Sequence, residues 1–409
     1  MISGKTGCGL SYAVRRSSSS VAFCSLSVRC GTRDEEGFHS GIAHFTEHTI
    51  FKGTAHKSAS VINSYLDRLG GELNAYTTKE EIVFHATVLK EDLPKAAGLL
   101  FELATEASFP DREIETEKGV VIDEINSYKD SPADDIYDKF EEALFEGHPL
   151  GRPILGTASS VRAITSEELR TFVKKNFTPD RMAFCIVANI DEKKLEAQVN
   201  SLSDKHFGTQ FPLSANETKA PVGIPRNIFD RTVNRRSHEV NAVLGGLAPS
   251  LYSEDRIVSV LLANILGGPA SNSILNSVLR EKNGWVYGVE CAFTQYRDSG
   301  IMTISIGCEK ENLDKCFREI FKAIHKLQDK AMSERRLKAA KKQLLGQLAI
   351  SSESNESQCL SMGKSLLAYG RVASSEENCR IIKSITTAEL QECARRIFAE
   401  ESLSRLIFL

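Results

Sequence analysis

Two stretches, VRAITSEELRTFVKKNFTPDRMAFCIV at Val161–Val187 and IKSITTAELQECARRIFAEESLSRLIFL at Ile382–Leu409, carry one pattern twice. Ile164 aligns with Ile385, Thr165 with Thr386, Glu168 with Glu389, Leu169 with Leu390 and Phe177 with Phe398, each 221 positions apart. Thr165-x-x-Glu168 and Thr386-x-x-Glu389 read as capping boxes, in which the Thr hydroxyl accepts a free backbone N–H and the Glu reaches back to another. About three turns of amphipathic helix follow in each, and then an apolar strand. A second echo fits the same offset to within a residue, IVFHATVLKEDL at Ile82 against MTISIGCEKENL at Met302. A repeat this long indicates a duplicated domain rather than a solenoid. The expectation is an α+β chain of two homologous α/β domains, residues 1–211 and 226–409, with antiparallel sheets and flanking helices. Between them PLSANETKAPVGIP, Pro212–Pro225, gives up the periodic pattern for Pro, Gly, Ser and Asn, and reads as the linker.

The composition excludes several classes. The 409 residues are 41% hydrophobic and 26% charged, enough to bury a sizeable core. Lys+Arg 51 against Asp+Glu 54 leaves a formal charge of −3, which removes the electrostatic case for nucleic acid or an anionic membrane as partner. No apolar run approaches the roughly 18 residues that cross a bilayer. Ten cysteines are scattered with no CxxC pair, several in apolar runs such as AFCIVANI, and read as reduced, buried small hydrophobes. The N-terminal 33 residues are Ser- and Arg-rich with no acid before Asp34, like a transit peptide, yet LSYAV and VAFCSLSV alternate like strands. They are expected to form the first hairpin, with RRSSSS as its turn. The expected compartment is cytoplasmic. Met1 stands almost at the first strand, so a targeting segment lost from the N-terminus would change that.

The chemistry gathers in SGIAHFTEHTIFKGT, Ser40–Thr54. Ser40 as cap and Gly53 as stop bracket a short helix. On it His44 and His48 are i and i+4, so both imidazoles lie on one face, with Glu47 projecting beside them. This H-x-x-E-H order is the reverse of the commoner H-E-x-x-H zinc motif. A catalytic zinc takes three protein ligands and an open position, so a third ligand is required from another helix. DREIETEKGVVIDEINSYKDSP, Asp111–Pro132, offers Glu124, 76 residues after His48, with Glu117 two turns earlier on the same face. Glu117 suits a carboxylate that accepts a ligand His N–H. Glu113 and Glu115 keep the choice among these carboxylates open.

HFTEHTIFKGT, GGELNAYTTKEE, EKGVVIDEI…DSP and EGHPLGRPILGT, in this order and spacing, resemble the M16 metallopeptidase family of insulin-degrading enzyme, pitrilysin and mitochondrial processing peptidase, in its short bacterial-type form. The resemblance runs from about Leu10 to the C-terminus. It implies a clamshell half, two of which close around a chamber. It also implies one Zn2+ per chain held by His44, His48 and Glu124, with Glu47 as the catalytic base and Glu117 as the supporting carboxylate. Asn74 and Ala75 match the strand motif on which an extended peptide can add by β-augmentation. In the second half Ile265 stands where the offset places His44 and Leu345 where it places Glu124, so the metal set is missing. There Arg280 and Tyr287 match the family's substrate-gripping pair.

The implied activity is zinc-dependent endopeptidase cleavage of peptides or unfolded segments, with Glu47 taking a proton from water and passing it to the leaving amine. Because one chain holds both the metal motif and the Arg/Tyr pair, the implied assembly is a homodimer, with a heterologous M16 subunit as the alternative. Removal of leader sequences is a second reading and a non-catalytic scaffold subunit a third. The acidic group Asp130, Asp134, Asp135, Asp138, Glu141 and Glu142 reads as a solvated helix face rather than a site for basic peptides. Thr46, where relatives carry a larger apolar residue, is expected to affect helix packing alone.

Overall fold

The computed structural model describes residues 1–209, 223–235 and 237–409, so most of the expected linker lies outside the described residues. The chain forms two compact units, Met1–Asn126 with Arg152–Ala220 and Ile350–Ala373, and Ser127–Gly151 with Pro221–Ala349 and Ser374–Leu409.

The first unit is built on β1 (Ile2–Lys5), β2 (Ser11–Arg16), β3 (Val21–Val28), β4 (Glu72–Thr77), β5 (Ile82–Leu89) and β6 (Met182–Ala188), in the order β1-β2-β6-β3-β5-β4. The expected hairpin between β2 and β3 does not form: β6 lies between them, parallel to β2 and antiparallel to β3. Every residue of β6, MAFCIVA, is buried. A strand apolar on both faces is stable only where the sheet covers both of its edges and helices cover both its faces. On one face the helices Leu93–Glu106 and Glu192–Phe207 close the main core around Leu26, Phe84, Phe101 and Phe184. On the other, the helix Asn355–Tyr369 sets Cys359, Met362 and Leu366 on Ala13, Ala183, Cys185 and Val187. That helix comes from the second half of the sequence. β4 is left as an edge strand.

The second unit repeats the plan with β7 (Asp230–Val233), β8 (Val240–Ala248), β9 (Val286–Gln295), β10 (Gly300–Cys308) and β11 (Ser404–Phe408), in the order β7-β11-β8-β10-β9. The strands are antiparallel except β7 with β11, so each sheet has one parallel pair among the described residues. The helix Pro132–Leu144, from the first half, packs Ile136, Phe140 and Leu144 against Val243, Ile301 and Phe408. For two of its acidic residues this corrects the reading as a solvated face: Asp135 is buried and paired with Arg235, and Glu141 accepts the Tyr296 hydroxyl at 3.0 Å. Asp130 and Asp134 are exposed as expected, and Glu142, bonded to Lys139, is a surface pair. Asp135 and Glu141 fasten the helix to its sheet.

The repeat holds to the residue where it was read. The helices Ser166–Asn176 and Thr387–Ile397 start 221 positions apart, each capped by a Thr hydroxyl accepting an N–H at 3.2 Å. Only the second box closes, with Glu389 accepting the Thr386 N–H at 2.6 Å. Glu168 instead accepts the His39 backbone N–H at 2.8 Å and faces His39 Nδ1 at 2.9 Å. Glu168 is thus drawn from its own cap to a nearby segment. Thr386→Ala is expected to cost about 1 kcal/mol, read as a lowered urea midpoint at unchanged slope. All ten cysteines are free thiols and nine are buried.

Candidate metal centre

The motif helix spans Ile42–Ile50, but Ser40 does not cap it. The N-cap is Gly41 at φ 89°, and the Glu35 carboxylate accepts the N–H of Gly41 at 3.0 Å and of Ala43 at 3.0 Å. The Ser40 carbonyl is instead held by Ser160 Oγ at 2.7 Å. Gly41 packs on Gly156 so closely that a Cβ on either would come within 3 Å of the other's Cα. Burial pushes the Glu35 carboxyl up to about 8, against its backbone N–H bonds and the nearby charges of Arg152 and Lys79. Gly53 lies in the turn beyond the helix, at φ 151°.

From this helix His44 and His48 project side by side, ring centroids 4.7 Å apart and planes tilted by 59°. The helix Asp111–Lys129 brings Glu124 alongside, with one carboxylate oxygen 3.7 Å from His44 Nε2 and 3.4 Å from His48 Nε2. Among the described residues this is the one group of three His, Cys, Asp or Glu side chains whose ligand atoms all fall within 4.8 Å. Glu117, two turns earlier and buried, accepts from His48 Nδ1 at 3.0 Å through Oε1, while Lys52 Nζ stands 2.6 Å from Oε2. Glu115 is exposed and pairs with Lys118. The helix face therefore selects Glu117 and Glu124 from the four acids.

His44 is buried and its Nδ1 has no hydrogen-bond partner. Burial and the neighbouring His48 push it down to about 3, so it is a neutral nitrogen donor. A buried imidazole without partners is uncompensated in the protein alone. An imidazole nitrogen from each histidine and a carboxylate oxygen, three donors in all, are the set of an open zinc site, and the residues present fit that ion. Glu47 is half-buried and is not one of the three donor residues; its Oε2 accepts from Thr77 Oγ1 of β4 at 2.5 Å. Burial raises its pKa, opposed by the Thr77 bond and the His48 charge. For His48, burial is outweighed by Glu117, Glu124 and Glu47, and the net shift is upward. Thr46 is buried with its hydroxyl bonded to the Ile42 carbonyl at 2.7 Å.

Asn74 and Ala75 lie on β4, opposite His85 and Phe84 of β5, with the outer edge of β4 unpaired by any described strand. In the second unit Arg280 is exposed on a π-helical segment, Asn276–Lys282, and Tyr287 is the second residue of β9, with its hydroxyl on Glu309. At the duplicated position the second unit has buried Ile265 and an amide pair, Asn264 Nδ2 to Gln347 Oε1 at 2.7 Å. Sequence reasoning missed three residues around the centre. Lys52 was visible as the i+4 neighbour of His48, and Thr77 as the residue two beyond Ala75 on the same strand face. Glu35 carried no signal, because the loop from Glu35 to Gly41 has no regular period.

A duplicated α/β scaffold that sets H-x-x-E-H beside a carboxylate from a second helix defines the inverted-zincin class of centre. Residues 12–158 match the model of the insulinase family, peptidase family M16, and residues 163–344 match that of the peptidase M16 inactive domain. An uncharacterized zinc protease of Mycobacterium tuberculosis H37Rv is 33% identical over 378 residues, 91% of this chain and 84% of that protein. The uncharacterized zinc protease YmxG of Bacillus subtilis is 30% identical over 381 residues, 93% of this chain and 91% of that one. A crystal structure of a protease from Helicobacter pylori superposes at a TM-score of 0.90 over 100% of this chain and 98% of that one, at 20% identity. The chain belongs to the M16 peptidase family, in its short bacterial-type form.

Proposed function

We propose that the protein is a zinc-dependent metalloendopeptidase that cleaves peptides or unfolded segments. The observation that carries this reading is the convergence of His44, His48 and Glu124, with Glu47 on the same helix as the two histidines. When bound there, zinc supplies a Lewis acid that polarises a carbonyl and makes water a better nucleophile near neutral pH. The two imidazoles and Glu124 hold the ion, and Glu117 fixes the Nδ1–H tautomer of His48 so that Nε2 is the donor. Glu47, with one oxygen anchored by Thr77, keeps the other free to take a proton from water and return it to the leaving amine. Its raised pKa suits a group that must give the proton back.

The substrate is an extended backbone added to the free edge of β4 along Asn74 and Ala75, which brings each carbonyl past the His44–Glu47 face in turn. Edge pairing demands an extended chain, so folded proteins are excluded and unstructured peptides accepted. Arg280 and Tyr287 grip the substrate and stabilise developing negative charge. Two identical chains form the chamber, one zinc in each. The test is cleavage of an unstructured quenched-fluorescence peptide by purified protein, stripped with a chelator and reloaded with zinc. Activity is expected to vanish and return. No cleavage and no bound zinc would replace this reading with that of a scaffold subunit.

A further inference from the structure

We propose that Lys52 is a positioning residue for the metal centre, acting through Glu117 on His48; this rests on the zinc reading above. His44, His48 and Lys52 are spaced four residues apart, and Lys52 stands in the turn just past the end of the motif helix at Ile50. Glu117 lies between them and divides its carboxylate, Oε1 at 3.0 Å from His48 Nδ1 and Oε2 at 2.6 Å from Lys52 Nζ.

Three rotatable bonds lead to the Glu117 carboxylate, so its orientation is set by what its two oxygens meet. The contact of Oε2 with Lys52 restrains it in the orientation that places Oε1 on His48 Nδ1. The pair is partly enclosed, with 8% of the Glu117 side chain and 22% of the Lys52 side chain exposed, so water competes weakly for either partner. The two histidines are thus held by different means. His48 is fixed by a carboxylate that is itself fixed, whereas His44, whose Nδ1 meets no partner, is fixed by burial alone. The centre consequently depends on the Lys52–Glu117–His48 line for the aim of one of its two nitrogen donors.

Lys52 also acts in the opposite sense, because its positive charge repels a dication nearby. The two effects predict opposite outcomes when the charge is removed, and that makes the experiment decisive. The probe is Zn2+ alone, titrated into metal-free protein in competition with a chromogenic chelator. Lys52→Met, which keeps the stem and drops the ammonium, is expected to weaken zinc binding about tenfold, the low end of what outer-shell partners contribute. Lys52→Arg is expected to hold the affinity close to the parent's. In the Glu117→Gln background Lys52→Met is expected to cost little further, since its route to the metal is already cut. Circular dichroism and the melting of the metal-free Lys52→Met protein are expected to match the parent's. Zinc binding by Lys52→Met as tight as, or tighter than, the parent's would overturn the positioning role while leaving the metal centre standing. A parent protein that binds no zinc would overturn both.

Discussion

Glu47→Gln is expected to keep one zinc per chain and to lose roughly 10³ in kcat, the middle of the range that general acid–base residues supply. Retention of the metal follows from geometry. His44 Nε2, His48 Nε2 and a Glu124 oxygen form the donor group, and Glu47 is outside it. The amide is isosteric, and its oxygen can still accept from Thr77, so the motif helix and β4 stay in place. The protein loses only a group that can hold a proton in transit. A loss of 10³ corresponds to about 4 kcal/mol of transition-state stabilisation. The expected KM is close to the parent's, because the β4 edge proposed to hold the peptide is left unchanged. Metal analysis alongside steady-state kinetics separates this from chelation, which removes zinc and turnover together. Cleavage by Glu47→Gln at the parent rate would mean that another group moves the proton.

Periodicity made the His44/His48 pair legible, since i and i+4 fix a shared helix face whatever surrounds them. The duplicated Thr caps were legible for the same reason: the signal is local. The choice of Glu124 and Glu117 over Glu113 and Glu115 needed the rotation of a second helix against the first, which one sequence leaves open. The entry of β6 between β2 and β3 is a pairing across more than 150 residues, and nothing in the β2–β3 segment announces it. Asp135 and Glu141 of Pro132–Leu144 were misread for a related cause. A solvated face and a face that fastens a helix to a distant sheet have the same composition, and only the arrival of Arg235 and Tyr296 tells them apart. The covering of β6 by Asn355–Tyr369 was hidden likewise, because that helix is amphipathic toward a sheet from the other half of the chain.

Gly156→Ala is expected to be the most damaging small substitution near the centre, although residue 156 touches no ligand. Its φ is +71°, so any side chain meets the left-handed penalty of about 1–2 kcal/mol. In addition its Cβ would lie 2.4 Å from the Ser40 carbonyl oxygen and 2.8 Å from the Gly41 Cα, and both of these are backbone. Backbone cannot rotate aside as a side-chain tip can. The strand of chain that must yield is Ser40–Gly41, the entry to the motif helix, where Glu35 accepts two of the helix's free N–H groups. Moving it either breaks bonds to a buried carboxylate or shifts His44, three residues on. The expected loss is about 3 kcal/mol or more, seen as a lowered urea midpoint, accompanied by weaker zinc binding. Gly37→Ala is the control. Its φ is +85° with nothing within 4 Å of the added Cβ, so it carries the left-handed penalty without the collision. It is expected to cost about 1 kcal/mol and to leave zinc affinity unchanged. Equal losses in the two variants would show that conformation alone matters at Gly156, and that the motif helix does not depend on this close approach for its position.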